Sequence, residues 1–350
     1  MEVSDLRNIE RAHLTLGPGL NVLLGRNAQG KTSLLEAVGL LARGRSFRTD
    51  QLPSLIRRGS EHTRAQACVQ GGDRDVALEV QVGPGGRRYR VDGHEVEPAR
   101  YHGRLEATVY STDRLRVVRG PMRERRLYVD RAAAALWPSY RQLLRDYERI
   151  VRQRNAALLA GSRDLSVWDE QLVAAGAELR RRRAAYLDRL RSCLSEVTPP
   201  ADERYGVESA PAPLAGDQQE EERLRAEMAA RRTAERGAGR TLVGPHRDDV
   251  RLLVDGEDAG QTASSGQARS LLLVLTLAAL ALYRAERGTS AVALLDDLDS
   301  ELDDQRATAV CDEVARHGQA LVTTAHGHWA RRLADGGRLF EVESGRVRAA

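Results

Sequence analysis

Short apolar runs and alternating segments predict β-strands near both ends of the chain. Residues 22–24, after Asn21, and 291–295 are continuous apolar runs, as expected of strands buried on both faces of a parallel sheet. Residues 64–70, 75–82 and 87–91 alternate between apolar and polar positions, with glycine-rich turns between them, which predicts an antiparallel meander. Because the two apolar strands lie at opposite ends of the chain, we expect one sheet to be completed by both ends around a large insertion.

The middle of the chain has the periodicity of helices. Residues 113–158 and 164–195 are predicted to be arginine-rich helices, and 33–38 and 270–280 more apolar ones. Residues 198–217 are rich in proline, glycine and polar residues, which predicts an irregular connector. None of these segments carries a heptad run long enough for a coiled-coil arm.

The one lysine of the chain lies in the loop that follows the first apolar strand. Lysine occurs only at Lys31, although lysine and arginine together number 54. Arginine can replace lysine at most surfaces, but its planar fork cannot replace a compact ammonium in a tight phosphate loop. Lys31 lies in the pattern G-x-x-x-x-G-K-T between a strand and a helix, the context expected of a P-loop that binds a nucleoside triphosphate. The candidate nucleotide-binding residues are Gly25, Arg26, Asn27, Ala28, Gln29, Gly30, Lys31, Thr32 and Ser33.

A P-loop needs an acidic partner, and the apolar run 291–295 ends in Asp296 and Asp297. We predict that Asp296 and the Thr32 hydroxyl hold Mg²⁺. Asp297 is the predicted general base for the attacking water, so Lys31, Asp296 and Asp297 form the predicted catalytic set.

Small polar residues precede the apolar helix at 270–280. Ser264, Ser265, Gly266 and Gln267 form an S-x-G-Q pattern, which taken alone is explained at least as well by an ordinary helix N-cap. Because the pattern lies shortly before an acidic strand in a P-loop protein, it is similar to the ABC signature motif. In that superfamily the signature completes the ATP site of a partner subunit.

The composition of the chain argues against disulfide-rich, membrane-spanning and secreted classes of protein. The 350 residues carry a net charge of +4 and include three widely spaced cysteines, which excludes a disulfide framework and suits a reducing cytoplasm. No apolar run reaches the length of a membrane span, and the N-terminus lacks the apolar core of a signal peptide. We therefore expect a cytoplasmic ATPase with no membrane partner.

The modest net charge conceals a basic segment. Residues 113–154 carry twelve arginines against five acids, whereas 202–227 carry eight acids against three arginines. The basic segment predicts binding to a phosphate backbone, with Arg123, Arg125 and Arg126 as candidate contacts. The run Arg180–Arg183 is interpreted as solvated surface, because four consecutive helical residues point all around the helix. Aromatic residues make up only 4%, which disfavours single-strand binding by base stacking and favours double-stranded or junction DNA without sequence preference.

Motifs in order along the chain resemble one family. The resemblance is to the RecF family of bacterial DNA-repair ATPases, which is related to the heads of SMC and Rad50 proteins. The segments that carry it are Leu6–Asn8, Gly44–Arg48, Asp113–Gly120, Arg125–Arg126, Arg154–Leu158, Val167–Asp169, Gly244–Asp249 and 295–303.

The resemblance implies an α/β fold of the ABC type. Lobe I, with a mixed sheet and an antiparallel meander, would comprise 1–112 and 280–350, and an inserted, mainly helical lobe II would comprise 113–279. It also implies a D-loop at Ser300 and Asp303, an ATP-dependent homodimer, and slow ATP hydrolysis coupled to binding of double-stranded or gapped DNA. RecO and RecR would be partners in loading RecA at gaps.

Two departures and two alternatives accompany this interpretation. Ala28 stands where the family usually has glycine, and no histidine directly follows the strand residue Thr324, so His326 is not assigned a γ-phosphate-sensing role. The alternatives are an SMC-like structural head, which the missing coiled coil disfavours, and an ABC transport ATPase, which the order of the motifs disfavours.

Overall fold

The computed structural model describes residues 1–71, 74–197, 203–212, 214, 216–298 and 304–350. By their contacts these residues form two compact units. Unit 1 comprises 1–115 and 275–350, and unit 2 comprises 116–274.

The strands of both units are short. In chain order they are β1 (Glu2–Leu6), β2 (Ile9–His13), β3 (Leu20–Leu24), β4 (Thr63–Val69), β5 (Val76–Gly83), β6 (Gly86–Val91), β7 (His94–Glu95), β8 (Ala107–Tyr110), β9 (Tyr205–Ala210), β10 (Asp249–Val254), β11 (Glu257–Asp258), β12 (Val292–Leu295), β13 (Ala320–Thr324), β14 (Arg338–Glu343) and β15 (Arg346–Ala349).

The helices range from single turns to more than eight turns. They are α1 (Lys31–Arg43), α2 (Pro98–Tyr101), α3 (Arg116–Arg119), α4 (Met122–Leu136), α5 (Pro138–Leu159), α6 (Ser166–Glu196), α7 (Asp217–Ala238), α8 (Ala259–Thr262), α9 (Ser265–Arg287), α10 (Asp304–His317) and α11 (Gly327–Leu333). Short 3₁₀ helices cover Leu52–Leu55 and Thr112–Leu115.

Unit 1 holds two six-stranded sheets around α1. One sheet is antiparallel, in the order β2-β1-β4-β5-β6-β7, and contains the predicted meander. The other has the order β15-β14-β3-β13-β12-β8 and is parallel except for the β14–β15 hairpin. Buried residues of α1, such as Leu34 and Leu41, share one core with Val80 of the first sheet and Leu294 of the second. The second sheet joins strands from both chain ends, as the positions of the apolar runs predicted.

Unit 2 is mainly helical, with one small sheet. Helices α4 to α7 pack against one another and against a three-stranded antiparallel sheet in the order β11-β10-β9. The prediction of an irregular connector over 198–217 is wrong at β9, where Val207 is fully buried opposite Leu252. Within β9 only Val207 is buried, but all six residues pair with β10, and this ladder outweighs the turn-forming residues on either side.

The expected α/β architecture is confirmed, and the structure described here shows no long coiled coil. The boundary between the units at 274/275 lies within α9. In the described part of the chain, α9 alone is long and apolar enough to cross a membrane, but 67% of its most apolar window is buried within the protein. Such burial is typical of the core helix of a folded domain.

Candidate nucleotide site

The phosphate loop connects β3 to α1. The Gly25 amide donates to the Thr324 carbonyl at 3.1 Å, and a Cβ on Gly25 would lie 2.3 Å from the Val342 carbonyl oxygen, so that only glycine fits. Gly30 has φ of 112°, which also favours glycine. The Lys31 ammonium donates to the carbonyls of Gly25 at 2.7 Å and Arg26 at 3.2 Å, and the residue is only 4% exposed. The loop thus surrounds a buried ammonium at a helix N-terminus, which suits anionic phosphates.

Ala28 adopts a conformation that glycine would adopt more readily. Its φ is 66°, in the left-handed region, where a Cβ costs about 1–2 kcal/mol. The departure from glycine in the sequence therefore leaves the turn in place but adds strain to the loop.

Two β-turns hold the loop from outside. The side-chain Nδ2 of Asn8 donates to the Ala28 carbonyl at 3.3 Å, and its Oδ1 accepts from the Ser33 hydroxyl at 3.2 Å. In the β14–β15 turn, the amide of Gly345 donates to the Gln29 carbonyl at 2.9 Å, and that of Ser344 donates to the Gln29 side chain at 2.5 Å. Ser344 and Gly345 could not be predicted from the sequence motifs, because their turn lies more than 300 residues from Gln29 along the chain.

The acidic pair lies beside the loop. The Oδ1 atom of Asp296 accepts from the hydroxyl of Thr32 at 2.9 Å and from that of Thr323 on β13 at 2.8 Å. The amide of Asp297 donates to the Thr323 hydroxyl at 2.8 Å, and Asp297 has φ of 49°. Thr323 was not identified from the sequence, although it ends an apolar strand that pairs directly with β3.

The pKa of Asp296 is raised from 3.8 to about 6, chiefly by burial and also by the neighbouring charge of Asp297. The hydrogen bonds from the Thr323 and Thr32 hydroxyls and the charge of Arg48 oppose this rise. A divalent cation next to this carboxylate would restore its ionisation. Among the described residues, no group of three histidine, cysteine or acidic side chains could hold a metal. The pair Thr32 and Asp296 fits Mg²⁺, because this ion keeps most of its ligands from water and substrate phosphates.

Arg48 is a second residue that the motif search did not assign to the site. Its Nε donates to Asp113 at 3.1 Å, and its Nη1 lies 3.9 Å from Glu36 on α1. The fully buried Glu36 also accepts two hydrogen bonds from Arg7, at 2.9 and 3.0 Å, and one from Ser46. This network fixes the position of an arginine whose charge acts on Asp296.

The signature segment begins α9 in unit 2. The Ser264 hydroxyl accepts from the Gln267 amide at 3.1 Å, and the Gln267 side chain accepts from the Ser264 amide at 2.9 Å. This reciprocal pair is a capping box, so the N-cap interpretation holds within the isolated chain. Ser264, Ser265 and Gly266 are all exposed.

Two other sequence predictions concern residues near the acidic strand. The predicted D-loop residues Ser300 and Asp303 lie outside the described residues. His326 lies two positions beyond β13, where its amide donates to the Thr324 hydroxyl at 2.9 Å.

The structure corrects one of the predicted DNA contacts. Arg125 is 9% exposed and makes a bidentate ion pair with Asp249, at 2.8 and 3.0 Å, so its guanidinium is not available to a phosphate backbone. Arg126 is half-buried and donates to the Asp248 carbonyl at 2.5 Å. Arg123 is exposed.

Two residues of the run 180–183 also depart from expectation. Arg180 and Arg183 are 6% and 3% exposed, so the prediction of a solvated run is wrong for both. Arg180 donates to both carboxylate oxygens of Asp248, at 2.7 and 2.8 Å, and Arg183 donates to the Pro245 carbonyl at 3.0 Å. These contacts hold the segment Gly244–Asp249, so this motif has a structural role in unit 2.

The same segment carries a neutral histidine. His246 receives a hydrogen bond from the Tyr147 hydroxyl or donates one to it, at 2.7 Å. Burial lowers the pKa of His246 to about 4, so that the ring is uncharged at neutral pH.

Comparison with known proteins agrees with this geometry. The family model "RecF/RecN/SMC N terminal domain" matches residues 1–347. A DNA replication and repair protein RecF from Frankia alni is 38% identical over 349 residues, which cover 93% of this chain and 92% of the relative. This chain belongs to the RecF family. Another RecF, from Symbiobacterium thermophilum, is 37% identical and covers 99% of this chain and 96% of its own.

The fold of this chain is also similar to that of solved RecF structures. A structure described as the recombination mediator protein RecF with ATP in the RecFOR pathway aligns with a TM-score of 0.89 and 26% identity, covering 100% of this chain and 98% of that one. An SMC head bound to the C-winged helix domain of ScpA aligns with a TM-score of 0.58 at 14% identity, which shows a shared fold only.

Proposed function

We propose that this RecF-family chain binds ATP with Mg²⁺ at the phosphate loop and hydrolyses it slowly. The hydrogen bond between Thr32 and Asp296 carries this proposal, because it joins the loop to the acidic strand where a nucleotide-bound cation would lie. Thr32 and Asp296 would hold Mg²⁺, which would neutralise phosphate charge when bound. Lys31 would contact the β- and γ-phosphates, and Asp297 would accept the proton of the attacking water.

The role of Asp297 can be tested with Asp297→Asn. Asparagine tolerates a positive φ almost as well as aspartate, so the backbone is retained, but an amide cannot accept the proton. We expect ATP affinity close to that of the wild type and single-turnover hydrolysis reduced by about 100-fold or more. Hydrolysis at the wild-type rate would exclude Asp297 as the base.

We propose further that ATP induces a homodimer in which Ser264 of one subunit contacts the nucleotide held by Lys31 of the other. The exposed position of Ser264 at a helix N-terminus supports this role, since amides there attract phosphate. Ser264→Arg should leave ATP binding by the monomer intact and abolish ATP-dependent dimerisation in analytical ultracentrifugation. Ser264→Ala is the control for loss of the cap, which costs about 1 kcal/mol. If Ser264→Arg still dimerised with ATP, Ser264 would act only as a helix cap and would not contact the nucleotide of the other subunit.

The proposed DNA ligand is double-stranded or gapped DNA bound without sequence preference. With Arg125 removed from the candidates, exposed arginines of α3 and α4 remain, notably Arg116 and Arg123. Replacing both with alanine should lower the log–log salt slope of duplex binding by about 1.8, at about 0.9 per phosphate. Replacing Arg231 and Arg240, which are also exposed in unit 2, should leave the slope unchanged. Equal slopes for the two pairs would place the DNA surface elsewhere.

The cellular role that we propose is recombinational repair, in which the chain helps RecO and RecR load RecA at gaps. Membership of the RecF family and the solved relatives of the RecFOR pathway support it. RecA assembly on gapped DNA with RecO and RecR should be stimulated by the wild type and not by Lys31→Arg. Equal stimulation by both proteins would mean that this chain does not need to bind ATP to support RecA loading.

A further inference from the structure

A second concave site lies in unit 1, with residues of α11 and β14 along its walls. The cavity has a volume of about 950 Å³, and its lining includes Arg331, Arg332, Arg338, Leu339 and Phe340. Neither the phosphate loop nor the acidic pair contributes to it.

The lining carries an excess of positive charge. Arg331 and Arg332 are exposed, and neither makes an ion pair with any residue in the described part of the chain. Arg338 donates to the Thr15 carbonyl, and its side chain lies over Gly17. The lining has three arginines, and Asp335 is the one acidic side chain among the described lining residues.

The same cavity has apolar walls. Leu339 is half-buried, Phe340 is only 3% exposed, and Ala334 and Ala349 complete this part of the lining. A nucleic-acid backbone could neutralise the arginines, but it has no apolar group to cover Leu339. An acidic peptide with one apolar side chain satisfies both features, because carboxylates pair with guanidinium groups and an apolar anchor fills a concave pocket.

One wall of the cavity, strand β14, also reaches the candidate nucleotide site. Strand β14 begins with Arg338 in the cavity and ends against the phosphate loop, where the Val342 carbonyl lies over Gly25. Helix α11 follows His326 and is fixed in the core by the fully buried Trp329, one turn before the cavity arginines. A ligand in the cavity would therefore contact β14, whose far end borders the phosphate loop.

We propose that this cavity binds an acidic segment of a partner protein, with carboxylates on Arg331 and Arg332 and one apolar side chain over Leu339 and Phe340. Charge complementarity selects an acidic partner, and the apolar walls select a peptide. No residue of the phosphate loop or the acidic pair lines the cavity, so peptide binding can be tested without ATP or DNA.

The test is fluorescence anisotropy of a short labelled peptide rich in glutamate with one central phenylalanine. Binding to the wild type should weaken by about tenfold or more in Arg331→Glu/Arg332→Glu, which corresponds to about 1.4 kcal/mol. The matched control is Arg100→Glu/Arg104→Glu, at two exposed arginines elsewhere in unit 1, and it should bind like the wild type. A peptide with serine in place of phenylalanine should bind the wild type more weakly, and Leu339→Ser should remove that difference.

Three results would overturn the proposal. The first is no binding of the acidic peptide to the wild type, and the second is equal loss in the cavity and control variants. The third is competition by duplex DNA, if DNA binding also requires Arg331 and Arg332, because a nucleic acid would then be the ligand.

Discussion

Replacing Asp296 with asparagine should make the protein more stable while removing its function. The carboxylate of Asp296 is 8% exposed, and its pKa is raised from 3.8 to about 6. A raised pKa means that the folded state holds a proton more tightly than the unfolded state does. The ionised carboxylate therefore costs stability at neutral pH, and this cost disappears as the pH falls from 6 to below 3.8.

The size of the effect follows from the shift. About two pKa units at 1.36 kcal/mol each give an upper limit of about 3 kcal/mol. Asparagine keeps an oxygen that can accept from Thr32 and Thr323, and it removes the repulsion with Asp297. We expect a gain of about 1–3 kcal/mol at neutral pH, or a rise in Tm of about 2–10 °C for a unit of this size.

Thermal unfolding in EDTA at several pH values measures this gain. The difference between Asp296→Asn and the wild type should be largest above pH 6 and should vanish as the pH approaches about 4. Asp50→Asn, at an exposed position, should change stability by less than about 0.5 kcal/mol. With saturating Mg²⁺ and ATP the order should reverse, because ligand at about 1,000 times its Kd adds about 4.1 kcal/mol to the wild type alone. A variant less stable than the wild type in EDTA at neutral pH would refute this reasoning.

Three further predictions concern the loop and the helices. Lys31→Arg should lose tight ATP binding in a nucleotide titration, because the guanidinium is too large for the loop. If the variant bound ATP as tightly as the wild type, the Lys31 ammonium would not be the group that binds the phosphates. Gly25→Ala should lower both Tm and ATP affinity, since its Cβ would clash with backbone, whereas Gly19→Ala has open space and should change neither. Arg154→Met removes the ion-pair partner of the buried Glu235 and one of the two partners of the half-buried Asp169, and it should cost about 3–5 kcal/mol in urea unfolding. The exposed Arg152→Met should cost less than about 0.5 kcal/mol, and similar values for both would mean that the buried pair is not stabilising.

The phosphate loop and the acidic strand could be predicted because their chemistry is local. Gly25, Gly30, Lys31 and Thr32 need one spacing and one strand–helix context, and both are visible in a few consecutive residues. The apolar run before Asp296 likewise has few interpretations besides a buried parallel strand.

The supporting contacts could not be predicted, because they join residues far apart in the chain. Ser344 holds Gln29 only after β14 pairs with β3, and nothing near Ser344 indicates a nucleotide. Arg125 looks like a phosphate contact, and Arg180 like a solvated surface residue, until Asp249 and Asp248 are placed beside them. Charge counted along a sequence does not distinguish an exposed guanidinium from a neutralised one.

The burial of Trp329 has a practical consequence. The chain has three tryptophans, and the other two, Trp137 and Trp168, lie in unit 2. Phenylalanine at those two positions would leave one indole, fully shielded from water on the helix that connects His326 to Arg331. Its emission would then be an optical signal from α11 alone. The protein thus carries its own fluorophore on the helix whose Arg331 and Arg332 line the proposed peptide cavity, and peptide titrations could be followed without an attached dye.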